Sequence, residues 1–199
     1  MMAKNGNLDQ ARNFCDYIEK RMVGETWTIP SCMHGIGHGV ADGSDPRAIG
    51  SEHALIDPGL DLCEKVGSNE YEIKLCATGV FNSLAAMYFQ PKYKLNLNKK
   101  DPYAFCAQFT KPYIKHACYD DFKTIPPELT NNDFSKAMRF VEAIPEDIYA
   151  QDAMDNLSTY WVYWLLKEPN IDMAIDVCHS VQKRLQVRCI TGLGAGLLT

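Results

Sequence analysis

Long apolar runs are missing from this sequence. The longest, Trp161 to Leu166, is about a third of the roughly 18 residues that a membrane-spanning helix needs, so no transmembrane segment is expected. An excess of positive charge is missing too. Twenty Lys and Arg stand against 25 Asp and Glu, a net charge of −5, which argues against nonspecific binding to nucleic acid. No run alternates apolar and polar residues in the way a half-buried strand does. No CxxC or CxxCH occurs, which leaves zinc ribbons, thioredoxin-like redox motifs and covalent haem without their usual residues. GxSxG is absent, as is any Ser-His-Asp signature. Gly and Pro number 13 and 10 in 199 residues, too few for a collagen-like or low-complexity chain. Hydrophobic residues make up 46%, which is too apolar for a disordered chain and enough for one good-sized core.

What is present is a set of eight cysteines with a regular arrangement. They fall as Cys15/Cys32, Cys63/Cys76, Cys106/Cys118 and Cys178/Cys189, with separations of 17, 13, 12 and 11. The segments around the first member of each pair read NFCDYI, DLCEKV, AFCAQF and DVCHSV. Each places an apolar residue just before the cysteine (Phe14, Leu62, Phe105, Val177) and another three residues after it (Ile18, Val66, Phe109, Val181). That spacing is one face of a helix. A fifth segment, RFVEAI, follows the same template with Val141 in place of the cysteine.

The segments opened by the second cysteines align as well: CMHGIGHGV from Cys32, CATGVFNSL from Cys76, CYDDFKTI from Cys118 and CITGLGAGL from Cys189. Twelve residues past Val141, Ala153 opens AMDNLSTYW. The first-helix positions recur at intervals of 48, 43, 35 and 37, in the range of helical repeat arrays. The expected fold is therefore all-α: a single domain over 1–199 made of about five antiparallel helical hairpins, at roughly 8–40, 56–90, 101–125, 133–166 and 170–199. These would form an α-solenoid or a curved or toroidal array. Residues 41–55 read as an insertion, and Asp57-Pro58, Asp101-Pro102 and Pro126-Pro127 as helix starts or joints between hairpins.

The hairpin built on Val141 and Ala153 lacks both cysteines, whereas the other four have both. Joint absence is what disulfides within each hairpin predict: Cys15–Cys32, Cys63–Cys76, Cys106–Cys118 and Cys178–Cys189. Eight buried free thiols packing as small apolar groups are the alternative. Disulfides imply an oxidising compartment or an intracellular hyperthermophile, and the expected location is extracytoplasmic: periplasmic, pseudoperiplasmic or secreted. The opening MMAKNGNLDQ shows no signal peptide, so an export signal is expected to lie outside this sequence.

The glycines of HGIGHG do not make a phosphate loop, because the pattern is G-x-G-x-G and no strand precedes it. TG recurs at 78–79 and TGLGAG at 191–196, so Gly35, Gly79 and Gly192 read as repeat positions for close helix packing. The histidines are what the first hairpin adds. His34 stands where Thr78 and Thr191 stand in other repeats, and His38 where Asn82 and Ala195 stand. Residues four apart share a helical face, and two imidazoles one turn apart form a metal-ligand pair. The residues equivalent to His34 in the third and fourth hairpins are Asp120 and Asp155. In a curved array, equivalent positions on the second helices face a common centre. His34, His38, Asp120 and Asp155 are accordingly the expected metal ligands, for iron, copper or zinc, which the sequence does not distinguish. In a flat array the histidines would recruit Glu52 or His53 from the insertion. His116, one turn before Asp120, is a weaker candidate, and His179 is expected on the outer side. Solvated aspartates and hydrogen-bonded core histidines are the alternative. The aromatic stretch at 160–166 is expected to pack between hairpins or to contact a partner.

The architecture resembles the helical-hairpin superfamily that includes TPR and Sel1-like repeats, and most of all the cysteine-rich Sel1-like proteins, whose hairpins are stapled internally by disulfides. The resemblance spans roughly 8–199 and implies a fold class with a binding surface on the concave side. It carries over no catalytic residue. Two functions follow as expectations. One is an extracytoplasmic metal-binding protein, whose open coordination positions would suit a metal-dependent oxidoreductase or hydrolase. The other is a noncatalytic scaffold that binds a protein, a peptide or a further subunit on the concave face or through the 160–166 segment.

Overall fold

A computed structural model describes residues 8–22, 28–41, 46–165 and 171–198. Among these residues all regular secondary structure is helical, as the sequence pattern requires. The chain divides into two compact units, Met1–Leu97 with Thr110–Cys118, and Asn98–Phe109 with Tyr119–Thr199.

The first unit is built on α1 (Leu8–Arg21), α2 (Thr28–Val40), α3 (Glu52–Val66) and α4 (Glu70–Tyr88), with most of α5 (Pro112–Asp121). The second contains α6 (Ile125–Leu129), α7 (Phe134–Glu142), α8 (Asp147–Tyr160), which runs on into a π-helical turn at Trp161–Leu165, α9 (Ile171–Ser180) and α10 (Lys183–Leu198). Side-chain caps fix several starts. Ser51 accepts from the Ala54 amide at the head of α3, Asn69 from Glu72 on α4, and Asp133 from Lys136 on α7.

Consecutive helices pack in pairs: α1 on α2, α3 on α4, α7 on α8 and α9 on α10. Cystines join three of these pairs. Cys15–Cys32, Cys63–Cys76 and Cys178–Cys189 have Cα separations of 5.7, 5.5 and 5.5 Å, ordinary for a disulfide. Cys106 and Cys118 are disulfide-bonded as well, and no cysteine is free. In α7–α8 the two cystine positions are taken by Val141 and Ala153, both fully buried. Apolar packing there fills the space that a cross-link fills elsewhere.

Three expectations are corrected. Residues 41–55 are not all insertion, because α3 begins at Glu52 behind its Ser51 cap, and Asp57-Pro58 lies inside that helix. The first helix of the third hairpin shrinks to a single 3-10 turn at Cys106–Gln108. Only nine residues separate Pro102 from Pro112, and the residue before each proline is disfavoured in helical geometry. Gly35 has nothing within 4 Å of where its Cβ would be, so it is no packing glycine.

The close contacts belong to other glycines. α2 packs on α4, and α8 on α10. A Cβ on Gly37 would sit 1.9 Å from the Cys76 carbonyl oxygen, and one on Gly79 would sit 2.0 Å from that of His34. In the second unit, Gly192 meets the Asp155 carbonyl oxygen at 2.4 Å and Gly196 that of Thr159 at 2.7 Å in the same sense. Each unit is thus centred on two second helices whose backbones touch.

Arg12 ties α1 to the first turn of α4. Its guanidinium binds Asp16 at 2.8 Å and forks onto the Glu72 carboxylate, which also accepts from the Ser68 amide at 2.7 Å. The Arg12 hydrogen bonds hold the Glu72 carboxyl below the usual carboxylate range.

Titration with a thiol reagent under denaturing conditions will find no reactive cysteine before reduction and eight after it; any thiol found before reduction contradicts the pairing. Glu72→Gln will cost on the order of 1 kcal/mol at neutral pH. A depressed folded pKa stabilises above the unfolded value and ceases to do so as pH falls through the folded one. The gap between wild type and variant in chemical denaturation will therefore close on acidification.

Candidate functional site

His34 and His38 both lie on α2, and Met33, fully buried beside them, fixes the rotation of the helix. The Gly37–Gly79 contact brings α4 so near that side chains on the flanks of the crossing reach across it. His34, half-buried, places Nδ1 at 2.8 Å from Thr78 Oγ1. His38, exposed, places Nδ1 at 2.9 Å from Ser83 Oγ. The Nε2 atoms of the two rings face each other at 3.1 Å, with ring centroids 4.7 Å apart and planes at 82°.

Each imidazole is therefore held at its inner nitrogen by a hydroxyl of α4, and the outer nitrogens converge. With metal–nitrogen bonds of about 2.0–2.1 Å, a separation of 3.1 Å corresponds to two ligands subtending roughly 98° at one cation. That lies between the octahedral and tetrahedral angles. Metal-bound histidines commonly donate their other ring N–H to an acceptor that fixes ring orientation, and a Ser or Thr hydroxyl oxygen is able to accept in that way.

Among the described residues no group of three or more His, Cys, Asp or Glu side chains is arranged to hold a metal. The histidine pair could supply two ligands to a cation, whose other positions would fall to water or to a small ligand.

Asp120 and Asp155 belong to the second unit. Asp120 is buried and accepts from Asn156 Nδ2 at 3.2 Å. Asp155 lies 3.4 Å from Thr191 Oγ1, and burial raises its carboxyl above the usual range. This contact is the counterpart of His34–Thr78. His34 and Asp155 hold the same repeat position on α2 and α8, and Thr78 and Thr191 hold it on α4 and α10. Both threonines also donate to the carbonyl three residues back, Thr78 to Leu75 at 2.6 Å and Thr191 to Arg188 at 3.1 Å. Within each unit, then, equivalent positions of adjacent second helices meet in pairs.

The lesser candidates are placed as follows. His53 pairs with Asp57 at 3.1 Å on an exposed turn of α3. Glu52 interacts with the Tyr88 hydroxyl, whose pKa is raised by burial first and by that carboxylate second. His116 is half-buried on α5, and His179 is exposed in the last turn of α9. In the aromatic stretch, Trp161 and Val162 are buried and Tyr163 is exposed, and the remaining side chains, from 164 on, lie outside the described ones.

Thr78 and Ser83 were not singled out in the sequence. The signal was present, because Thr78 is the repeat equivalent of His34, but its use requires knowing that adjacent second helices touch. No family model, no curated protein and no solved structure matches this chain.

Gly37→Ala will destabilise the protein by about 3 kcal/mol or more, because the clash is with backbone and neither helix can give way cheaply. Gly35→Ala will be neutral or will stabilise by up to about 1 kcal/mol, as the helix gains propensity in open space. Denaturant melts of the two variants measure this, and equal losses at both positions would contradict the assigned crossing.

Proposed function

We propose that this chain is an extracytoplasmic metal-binding helical-repeat protein of the disulfide-stapled, Sel1-like kind, with His34 and His38 as its metal ligands. The observation that carries the reading is the convergence of the two Nε2 atoms at 3.1 Å, with both Nδ1 atoms held by hydroxyls. Imidazole nitrogen suits iron, copper and zinc alike. The oxidised cysteines support a location outside the reducing cytoplasm. An exposed cation with open positions can polarise a substrate oxygen or activate water. Iron or copper would suit redox chemistry, and zinc would suit hydrolysis.

A noncatalytic binding scaffold is the second reading. It is favoured by the exposed apolar residues of α10, among them Val187, Ile190 and Leu197.

Elemental analysis of protein purified without chelator or affinity-tag metal tests the first reading. Near-stoichiometric iron, copper or zinc is expected, lost in His34→Ala and in His38→Ala. Asp120→Asn and Asp155→Asn in the same measurement test the carboxylates. Absence of metal, with none taken up on titration, would overturn the reading and favour the scaffold.

A further inference from the structure

The two hydroxyls behind the histidines are not equivalent. Thr78 Oγ1 lies 2.6 Å from the Leu75 carbonyl oxygen, which can only accept, so the one hydroxyl proton of Thr78 points there. Toward His34, 2.8 Å away, Thr78 is left with lone pairs alone. Nδ1 of His34 must then carry the proton of that hydrogen bond, and Nε2 of the neutral ring is a lone pair. Ser83 Oγ has no hydrogen-bond partner among the described residues besides His38 Nδ1, at 2.9 Å. Its hydroxyl can turn either to donate to that nitrogen or to accept from it.

We propose that Thr78 locks His34 with its proton on Nδ1, whereas Ser83 lets His38 carry its proton on either nitrogen, so that one imidazole is a permanent ligand and the other a switch. Without a cation, the 3.1 Å Nε2–Nε2 contact requires one proton between the rings. His34 cannot supply it, so His38 donates from Nε2 and Ser83 donates to His38 Nδ1. With a cation, both Nε2 atoms must be lone pairs. One proton leaves Nε2 of His38, one arrives at its Nδ1, and Ser83 turns to accept it. His34 does not change. The neutral pair therefore releases no net proton on binding, unlike ligands that must first be deprotonated. Thr78 and Ser83 act through the imidazoles and are positioning residues. The inference rests on the metal reading only for its second state, since the lock on His34 is a property of the metal-free protein.

Long-range 1H–15N correlation spectra of the histidine side chains, recorded on metal-free protein at a pH where both rings are neutral, read the tautomers directly. His34 is expected protonated at Nδ1 and His38 at Nε2. One equivalent of zinc is expected to leave His34 unchanged and to move His38 to Nδ1. Thr78→Val is expected to release His34 from the Nδ1 form and to weaken zinc binding by about 10- to 100-fold, with Thr78→Ser restoring both. Ser83→Ala is expected to leave the tautomer of His34 untouched. A metal-free His34 protonated at Nε2, or a Thr78→Val protein whose His34 tautomer is unmoved, would overturn the proposal. Spectra that match for the metal-free protein but do not respond to zinc would overturn the metal reading and with it the switch at His38.

Discussion

Gly37 and Gly79 meet with no room for a Cβ on either helix, and the rest of the candidate site depends on that contact. An ordinary helix pair is held 8–10 Å apart by its side chains. Here the carbonyl of His34 and that of Cys76 occupy the space that side chains would take. At such close approach, two residues as short as threonine and serine reach the imidazoles of the facing helix. The loss of helix propensity at the glycines is offset by dispersion contacts along both backbones and by the cystines that pin each helix to its own partner. Histidines on a helix held at the usual separation would point past Thr78 and Ser83, and their inner nitrogens would be left to solvent.

The second unit repeats the device with different chemistry. Gly192 and Gly196 bring α10 against α8, and Asp155 faces Thr191 where His34 faces Thr78. Ser158 stands at the position of Gly37, and the contact is looser, 2.4 Å against 2.0 Å for the equivalent hypothetical Cβ. Asp155 is an acceptor only and Thr191 has one proton, already directed in part at Arg188. The arrangement tolerates an aspartate whose carboxyl is raised by burial. One architecture thus carries a facing pair of imidazoles in one unit and a single hydrogen-bonded carboxylate in the other, and the difference lies in which residues the repeat positions hold.

Much of this was legible in the chain itself. The joint absence of cysteine at Val141 and Ala153 pointed to pairing within hairpins, and both residues are buried where the cystines are buried. The register of the second helices was also legible, because HGIGHG, ATGVF and ITGLG align without gaps. The third hairpin was not, since its cysteine spacing was intact while two prolines shortened the helix that should have carried Cys106. The start of α3 was misread because a proline in mid-helix looks like a helix start, and the Ser51 cap lies seven residues earlier. Which glycine packs was also hidden. Gly35, Gly37 and Gly39 are identical as letters, and only the rotation of α2, set by buried Met33, decides that Gly37 faces α4.

The same rotation explains why equivalence across repeats was a sound guide and yet an incomplete one. A repeat position converges on its neighbour's copy when the two helices cross there, so position alone predicts contact between His34 and Thr78. It does not say what the pair does with the contact, because that depends on protons. Threonine at 78 satisfies its own hydroxyl within α4 and becomes a pure acceptor, whereas Ser83, one residue past the repeat equivalent of His38, keeps its proton free to turn. A chelating pair needs both outer nitrogens bare at once, and a metal-free pair this close needs one of them protonated. A site that must satisfy both conditions gains from one fixed ring and one adjustable ring, and the two different hydroxyls of α4 supply that asymmetry.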